Sequence, residues 1–211
     1  MKNNKPKIFG KNSVFIDKSV KFGKNVVIFQ NNIIKGQTYI ADNAIIGPSN
    51  YIYNGTISEG ASIKFSYLED CEVGKNAQIG PFSRLRKGTK IAENVKIGNF
   101  VEVKNSIIEK NTKANHHAYI GDAQIGKNCN IGCGAIFVNY NGKIKQKIKV
   151  GNNCFIGSNC NIVAPVQIED NCYICAGSTV TKNTNAYDFV IARSRETIKQ
   201  NYAKKYLNKE H

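Results

Sequence analysis

Long apolar runs, acidic side chains and histidine are all scarce in this sequence. No stretch approaches the ~18 apolar residues that a membrane-spanning helix needs. The basic first segment, residues 1–15, lacks the apolar core of a secretory signal. These absences predict a cytoplasmic chain that is neither secreted nor membrane-spanning.

The shortage of acidic residues leaves a large positive charge. Against 30 Lys and Arg residues there are 15 Asp and Glu residues, so the formal net charge is +15. The basic residues are scattered and accompany no recognised nucleic-acid-binding motif, so we expect no nucleic-acid partner. A solvated basic surface and a field that attracts small anionic substrates both fit this charge.

The sequence does contain an apolar side chain at every sixth position over long stretches. One series is Ile16, Phe22, Ile28, Ile34, Ile40, Ile46 and Ile52, and similar series cover 73–103 and 150–180. Helices repeat near 3.6 residues and ordinary strands near two, so a period of six indicates an all-β parallel β-helix with short strands.

Glycine often follows the repeated apolar residue, from which we expect tight corners with unusual φ. The glycines in this position are Gly23, Gly47, Gly74, Gly80, Gly98, Gly121, Gly126, Gly132, Gly151 and Gly157.

The repeat divides the chain into an N-terminal extension (1–13), a solenoid of about nine coils (14–182) and a C-terminal tail (183–211). Within the solenoid, the step from Phe137 to Val150 is 13 residues instead of six. This polar interval predicts a loop, 138–149, that leaves the solenoid, a usual place for binding residues.

The tail has the pattern of a short helix. Ser194 is a candidate N-cap, and Ile198, Tyr202 and Tyr206 are four residues apart. We expect this apolar stripe to pack on the solenoid or on a neighbouring subunit.

Seven cysteines raise the question of disulfides or a metal site, and Cys172 and Cys175 have the spacing of a metal-binding pair. Cysteine, however, lies two positions before a repeated apolar residue at Cys71, Cys129, Cys154, Cys160 and Cys172. This register predicts small buried apolar residues. Cys154 and Cys172 are one 18-residue coil apart and should stack as thiols rather than form a disulfide.

The histidines are His116, His117 and the C-terminal His211. β-Helical carbonic anhydrases need three metal-ligating histidines, and a C-terminal residue is a poor third ligand, so we expect neither that activity nor a metal.

Polar residues occur near His116 at intervals that a coil could bring together. Lys104 precedes it by 12 positions, Tyr119 follows by three and Asn130 by 14. Arg86 precedes Lys104 by one 18-residue coil, so the two cations should stack. Stacked cations repel unless an anion lies between them, which favours a phosphorylated substrate.

Eight motifs occur in order: IGPFSRLRKG (79–88), IGNFVEVK (97–104), KANHHAYIGDAQIG (113–126), NCNIGCG (128–134), NYNGKIK (139–145), FIGSNCNIVAPV (155–166), CAGSTVTKN (175–183) and IAR (191–193). Together they closely resemble the acetyltransferase domain of the bifunctional bacterial N-acetylglucosamine-1-phosphate uridyltransferase/glucosamine-1-phosphate acetyltransferase, in the hexapeptide-repeat transferase superfamily. The resemblance implies a left-handed parallel β-helix, a homotrimer with shared sites, and acetyl-CoA as co-substrate.

The resemblance also implies residue roles. The catalytic base would be His116. The sugar-phosphate ligands would be Arg86, Lys104, Tyr119 and Asn130, with Lys145 as a further functional lysine of the loop. The acetyl-CoA contacts would be Cys133, Asn139, Tyr140, Ser158, Ala176 and Arg193. A neutral imidazole suits proton removal from the attacking amine, and a backbone N–H near Cys133 could bind the oxyanion.

Four positions depart from the pattern of that family. Cys133 replaces an Ala, and Asn141 replaces an Asp in the loop. His117 and Ala118 replace an apolar–hydroxyl pair beside the base, so His117 could compete for that role.

We expect an N-acetyltransferase that converts glucosamine 1-phosphate to N-acetylglucosamine 1-phosphate, a peptidoglycan precursor, without the uridyltransferase half and its magnesium. Another amino-sugar phosphate or a nucleotide sugar is the alternative acceptor. A non-catalytic β-helix partner of a separately encoded nucleotidyltransferase is the third possibility, although such a partner would not need the set formed by His116, Arg86, Lys104 and Asn130.

Overall fold

The computed structural model describes residues 4–207, which form a parallel β-solenoid with three faces. Each strand pairs in parallel with the strands one coil before and one coil after it. We name the faces A, B and C in the order in which the chain crosses them within a coil. Faces A and B form one 19-stranded sheet, and face C forms a separate nine-stranded sheet.

The strands of face A are Lys7–Ile8, Val27–Ile28, Ile45–Ile46, Ser62–Ile63, Gln78–Ile79, Asn130–Ile131, Phe155–Ile156, Tyr173–Ile174 and Phe189–Val190. Those of face B are Phe15–Ile16, Ile33–Lys35, Tyr51–Tyr53, Tyr67–Glu69, Arg84–Leu85, Ile136–Val138, Asn161–Val163 and Thr179–Val180. Those of face C are Lys21–Phe22, Tyr39–Ile40, Thr56–Ile57, Glu72–Val73, Lys90–Ile91, Ile107–Ile108, Ala123–Ile125, Ile148–Val150 and Val166–Ile168. Two nine-residue strands, Lys96–Lys104 and Lys113–Gly121, cross the corner from face A to face B.

The repeated apolar residues form the core, as the six-residue period predicts. Ile79 pairs with Ile97 and Leu85 with Val103, so like side chains stack coil upon coil inside the solenoid. Ala114 takes the inward position in the coil that carries His116, and it is fully buried.

The backbone at the corners differs from the expectation that the repeated glycines adopt unusual φ values. Of the ten glycines that follow a repeated apolar residue, only Gly80 has a positive φ, at 96°. At most of the others glycine is needed because the next coil lies too close for a side chain; a Cβ on Gly98, for example, would overlap the carbonyl oxygen of Asn115. Asparagine supplies much of the left-handed backbone instead, as at Asn94, Asn111 and Asn128. These three side chains are joined by hydrogen bonds of 3.3 and 3.0 Å.

All seven cysteines are free thiols, and six of them are buried. Cys154 and Cys172 are stacked as expected, since the adjacent pair Phe155 and Tyr173 is in register. Burial raises the pKa of Cys71 to about 12, so its reactive thiolate is scarce at neutral pH. The six buried cysteines are packing residues.

The loop and the N-terminal segment differ in extent from the predicted boundaries. Val138 pairs with Val163, and Ile148 pairs with Ala123, so the loop comprises only 139–147. Within the expected N-terminal extension, Lys7–Ile8 already forms a rung of face A, followed by a 3₁₀ helix at Lys11–Ser13.

The helix predicted to follow Ser194 is wrong in extent. The tail first adds a rung to face A at Phe189–Val190, and its α-helix begins only at Lys204 and ends at Leu207. Asn201 has a left-handed φ of 58°, which interrupts any longer helix. Ile198, Tyr202 and Tyr206 are exposed, so their stripe does not pack on the solenoid of its own chain.

In residues 4–207, no helix is long and apolar enough to cross a membrane. His211 lies outside the described residues.

Candidate active site

His116 lies at the corner where face A turns into face B, in line with four other residues of interest. It pairs directly with Asn99 of the preceding coil. The register of the following coils places Cys133, Ser158 and Ala176 above it in turn. We call this line of five residues the corner column. It aligns the predicted base with three of the predicted acetyl-CoA contacts.

The His116 imidazole is exposed and oriented by one hydrogen bond. Its Nδ1 lies 3.0 Å from Oδ1 of Asn99. An amide oxygen accepts hydrogen bonds, so Nδ1 carries the proton in this contact and the lone pair is on Nε2. Asn99 therefore orients the His116 ring.

His117 lies at the bend itself, with a φ of 31°. Its carbonyl oxygen accepts the N–H of Gly134 at 2.6 Å. Its side chain makes no hydrogen bond within residues 4–207, so only one of the two adjacent imidazoles is held by a partner. This arrangement favours His116 over His117 as the base.

A cluster of three cations lies near the opposite edge of face B. Arg86 and Lys104 stack as the 18-residue interval predicts, because Leu85 and Val103 pair beside them. The Lys104 ammonium group lies beside Lys145 of the loop, and this neighbour lowers the pKa of Lys145; Arg86 acts in the same direction and Asp122 opposes it. The structure thus brings together Arg86, Lys104 and Lys145.

The repulsion between the stacked cations is smaller than the sequence suggests, because each has a carboxylate partner. Arg86 Nη1 lies 2.8 Å from Glu102 Oε1, and Lys104 Nζ lies 3.4 Å from Asp122 Oδ2. The pair alone therefore does not demand a bound anion. The third cation, Lys145, forms no ion pair among the described residues, and this leaves the cluster with an excess of positive charge.

The surface between His116 and this cluster is the outer side of face B. Tyr119 pairs with Glu102, and both residues lie between the two ends. Tyr119 is three residues from His116 across the bend at His117, and it is two residues from Gly121, about 7 Å along the strand. Asn139 lies against Gly121 beside the Tyr119 hydroxyl group.

Two predicted site residues lie away from this surface. Asn130 pairs with Lys113 on face A, on the other side of the corner. Arg193 belongs to the tail, where its side chain packs near Gly177 above the corner column. The structure of one chain therefore does not unite Asn130 with Arg86 and Lys104.

The loop is organised by its own side chains. The Tyr140 hydroxyl group donates to the carbonyl oxygen of Gly142 at 2.6 Å. Asn141 Oδ1 accepts the N–H groups of Lys143 and Ile144 at 3.0 and 2.9 Å. Asn141, which departs from the pattern of the resembled family, thus acts here as a turn-forming residue.

Sequence reasoning missed Asn99, Glu102 and Asp122. Each lies one coil from a predicted site residue, at intervals of 16 to 18 positions. Counting such intervals for amide and carboxylate partners, and not only for cations, would have marked them as candidates. Within residues 4–207, no group of three or more His, Cys, Asp or Glu side chains could hold a metal ion.

Two family models and several known proteins match parts of this chain. Residues 147–182 match the model of the hexapeptide repeat of succinyl-transferase, and residues 67–137 match the GMPPB C-terminal domain. The chain is 46% identical over 203 residues to the bifunctional protein GlmU of Clostridioides difficile strain 630, covering 96% of this chain and 44% of that protein. It is 44% identical to the GlmU of Clostridium kluyveri, covering 94% and 44%. The chain thus spans less than half the length of these curated relatives.

Solved structures support the fold. LpxA, a UDP-N-acetylglucosamine acyltransferase from Bacteroides fragilis, has a TM-score of 0.54 at 20% identity, covering 83% of this chain and 68% of that chain. The UDP-N-acetylglucosamine acyltransferase from Campylobacter jejuni has a TM-score of 0.52 at 18% identity, covering 85% and 69%. The predicted left-handed parallel β-helix is confirmed.

Proposed function

We propose that this chain, which is similar to the GlmU proteins and carries a hexapeptide repeat, is an acyltransferase that acetylates glucosamine 1-phosphate, or a close amino-sugar phosphate, with acetyl-CoA. The observation that carries the proposal is the layout of face B. An oriented imidazole lies at one edge and Arg86, Lys104 and Lys145 lie at the other. A small aminated anion can lie between them.

His116 would act as the general base. Its Nε2 accepts a proton from the amine as the amine nitrogen attacks the thioester carbonyl. The C–N bond forms, the C–S bond breaks, and the imidazolium returns the proton to the departing thiolate. The Cys133 N–H, which has no partner in residues 4–207, would stabilise the oxyanion.

The cations would bind the phosphate. Arg86 offers a planar set of donors, and two lysines add charge without fixed geometry. Tyr119 and Glu102 form the floor beneath the sugar.

Acetyl-CoA would lie along the corner column. Cys133, Ser158 and Ala176 follow His116 at successive coils, so the column rises about 14 Å from His116 to Ala176. Asn139 and Tyr140 would contact the cofactor from the loop, and Arg193 from the tail.

The site would be completed by another copy of the chain in a cytoplasmic homotrimer. Asn130 lies on face A and cannot reach the floor of face B in its own chain, so its proposed role as a sugar ligand requires a neighbouring subunit. Closed cyclic symmetry would make three identical sites.

An acceptor panel tests the proposal. Purified protein is incubated with acetyl-CoA and glucosamine 1-phosphate, glucosamine, galactosamine 1-phosphate or a nucleotide-linked amino sugar, and products are identified by mass spectrometry. We expect N-acetylation of glucosamine 1-phosphate and little of free glucosamine. Preference for the nucleotide-linked amino sugar would identify that compound as the acceptor. Acetylation of none of the four compounds would favour a non-catalytic partner of a nucleotidyltransferase.

A further inference from the structure

Three hydrogen-bond donors converge on the carboxylate of Asp122, whose side chain is only 9% exposed. Asn105 Nδ2 donates to its Oδ1 at 2.5 Å, and Asn139 Nδ2 donates to its Oδ2. Lys104 Nζ approaches the same Oδ2 at 3.4 Å. Asp122 therefore touches both the cation cluster and the first residue of the loop.

The chemistry of these contacts requires a carboxylate. An amide in place of Asp122 would offer one acceptor oxygen and turn an NH₂ group toward the remaining donors. The two asparagines can reverse their amides to compensate, but the Lys104 ammonium group cannot accept a hydrogen bond. The charge matters as well, because Asp122 is the only ion-pair partner of Lys104 among the described residues.

The contact with Asn139 sets the start of the loop. The Asn139 carbonyl oxygen accepts the N–H of Gln146 at 2.8 Å, which closes the base of the loop. The opposite end of the Asn139 side chain is held by Asp122. The buried carboxylate thus connects the orientation of the loop to that of Lys104.

We propose that Asp122 is a positioning residue that holds the phosphate-binding Lys104 and the acetyl-CoA-binding Asn139 as one unit. This inference rests on the proposed function for the roles of those two residues. The Asp122 side chain would thus organise both substrate sites.

The test compares Asp122→Asn with Asp70→Asn. Asp70 lies at the same corner in an earlier coil, has a similar left-handed φ of 44°, and accepts Asn54 Nδ2 at 2.9 Å. It takes part in none of the ion pairs of residues 4–207. Asparagine tolerates this backbone conformation at both positions, so neither substitution strains the corner.

In Asp122→Asn we expect KM to rise about tenfold for both the sugar phosphate and acetyl-CoA, as loss of a charged hydrogen bond would produce. We expect kcat to change little and Tm to fall, because the substitution removes the only ion-pair partner that Lys104 has among the described residues. Asp70→Asn should leave both KM values unchanged. In a Lys104→Ala background the effect on the sugar phosphate should vanish, and in Asn139→Ala the effect on acetyl-CoA should vanish. Unchanged KM values, or a loss of kcat and Tm without a KM change, would overturn the proposal.

A second readout is independent of turnover. NMR titration of ¹³C-methylated lysines, assigned with Lys145→Arg, reports the pKa of Lys145. The charged groups that act on it are Lys104, Arg86 and Asp122, and only the last raises its pKa. That pKa should fall in Asp122→Asn and stay the same in Asp70→Asn. If the wild type fails to acetylate glucosamine 1-phosphate, the proposed function fails, and this titration still decides whether Asp122 acts on the cluster.

Discussion

Lys145 is the cation of the site whose charge depends most on its neighbours. Its pKa is below the ordinary lysine value because the Lys104 ammonium group lies beside it, with Arg86 acting in the same direction. In the proposed function the protonated form binds phosphate, so this contribution is present below the lowered pKa and is lost as pH rises through it.

We therefore predict that kcat/KM for the sugar phosphate falls with rising pH earlier than an ordinary lysine would allow. Lys145→Arg keeps its charge across the whole range, so its profile should stay flat where that of the wild type declines. The measurement is kcat/KM against pH in the alkaline range for both proteins. Superimposable profiles would mean that Lys145 does not bind the phosphate.

At the scale of the coil, stability depends on close approach between successive corners. Gly98 lies against the backbone of Asn115, and an added Cβ would overlap its carbonyl oxygen. Gly98→Ala should lower Tm by about 2–12 °C, because overpacking costs about 1–3 kcal/mol. Thermal unfolding followed by circular dichroism measures this change.

Gly142→Ala is the matched control, since Gly142 lies in the loop with nothing within 4 Å of an added Cβ. Its positive φ of 92° makes alanine unfavourable by about 1–2 kcal/mol, so a smaller fall in Tm is expected. A larger fall in Gly142→Ala than in Gly98→Ala would contradict the account of the corners.

The inward-facing side chains of each coil could be predicted from the sequence, because the six-residue period has a single physical cause. The period of six fixes which side chains point inward, and it predicted the stacking of Ile79 on Ile97. Glycine at a corner has two causes, left-handed φ and close packing, and the sequence does not distinguish them. The helix predicted to follow Ser194 is shorter in the structure for a different reason. An apolar stripe such as that of Ile198 favours a helix only where another surface covers it.

For the site, the 18-residue interval predicted that Arg86 stacks on Lys104, but not that Glu102 and Asp122 would pair with them. Carboxylates are frequent at exposed positions, so the sequence offers many candidate partners for each cation. The register between successive coils decides which of them lie close enough to pair. The role of His116 came from the resemblance, while its orientation by Asn99 required the structure.

At the scale of the whole molecule, the placement of Asn130 predicts a site shared between chains. In the proposed homotrimer, His116→Ala and Asn130→Ala variants that are unfolded and refolded together should recover activity. A site needs an intact His donor and an intact Asn donor in the neighbouring position, so about a quarter of wild-type activity is expected from random assembly. Activity is measured at low sugar-phosphate concentration, where each variant alone is far below the wild type.

Mixing His116→Ala with Lys104→Ala provides the control. Both residues lie on the long paired strands that form face B, so every chain in the mixture would carry a defective site. Recovery in this control, or none in the mixture with Asn130→Ala, would contradict the shared-site arrangement.

The central claim is that His116 removes a proton from the amine during acetyl transfer to glucosamine 1-phosphate. Thiol release from acetyl-CoA, measured with this acceptor for the wild type, His116→Ala and His117→Ala, tests it most directly. The account predicts a kcat about 10²–10⁴-fold lower in His116→Ala and a far smaller loss in His117→Ala. Equal thiol release by the wild type and His116→Ala, or the larger loss in His117→Ala, would contradict it.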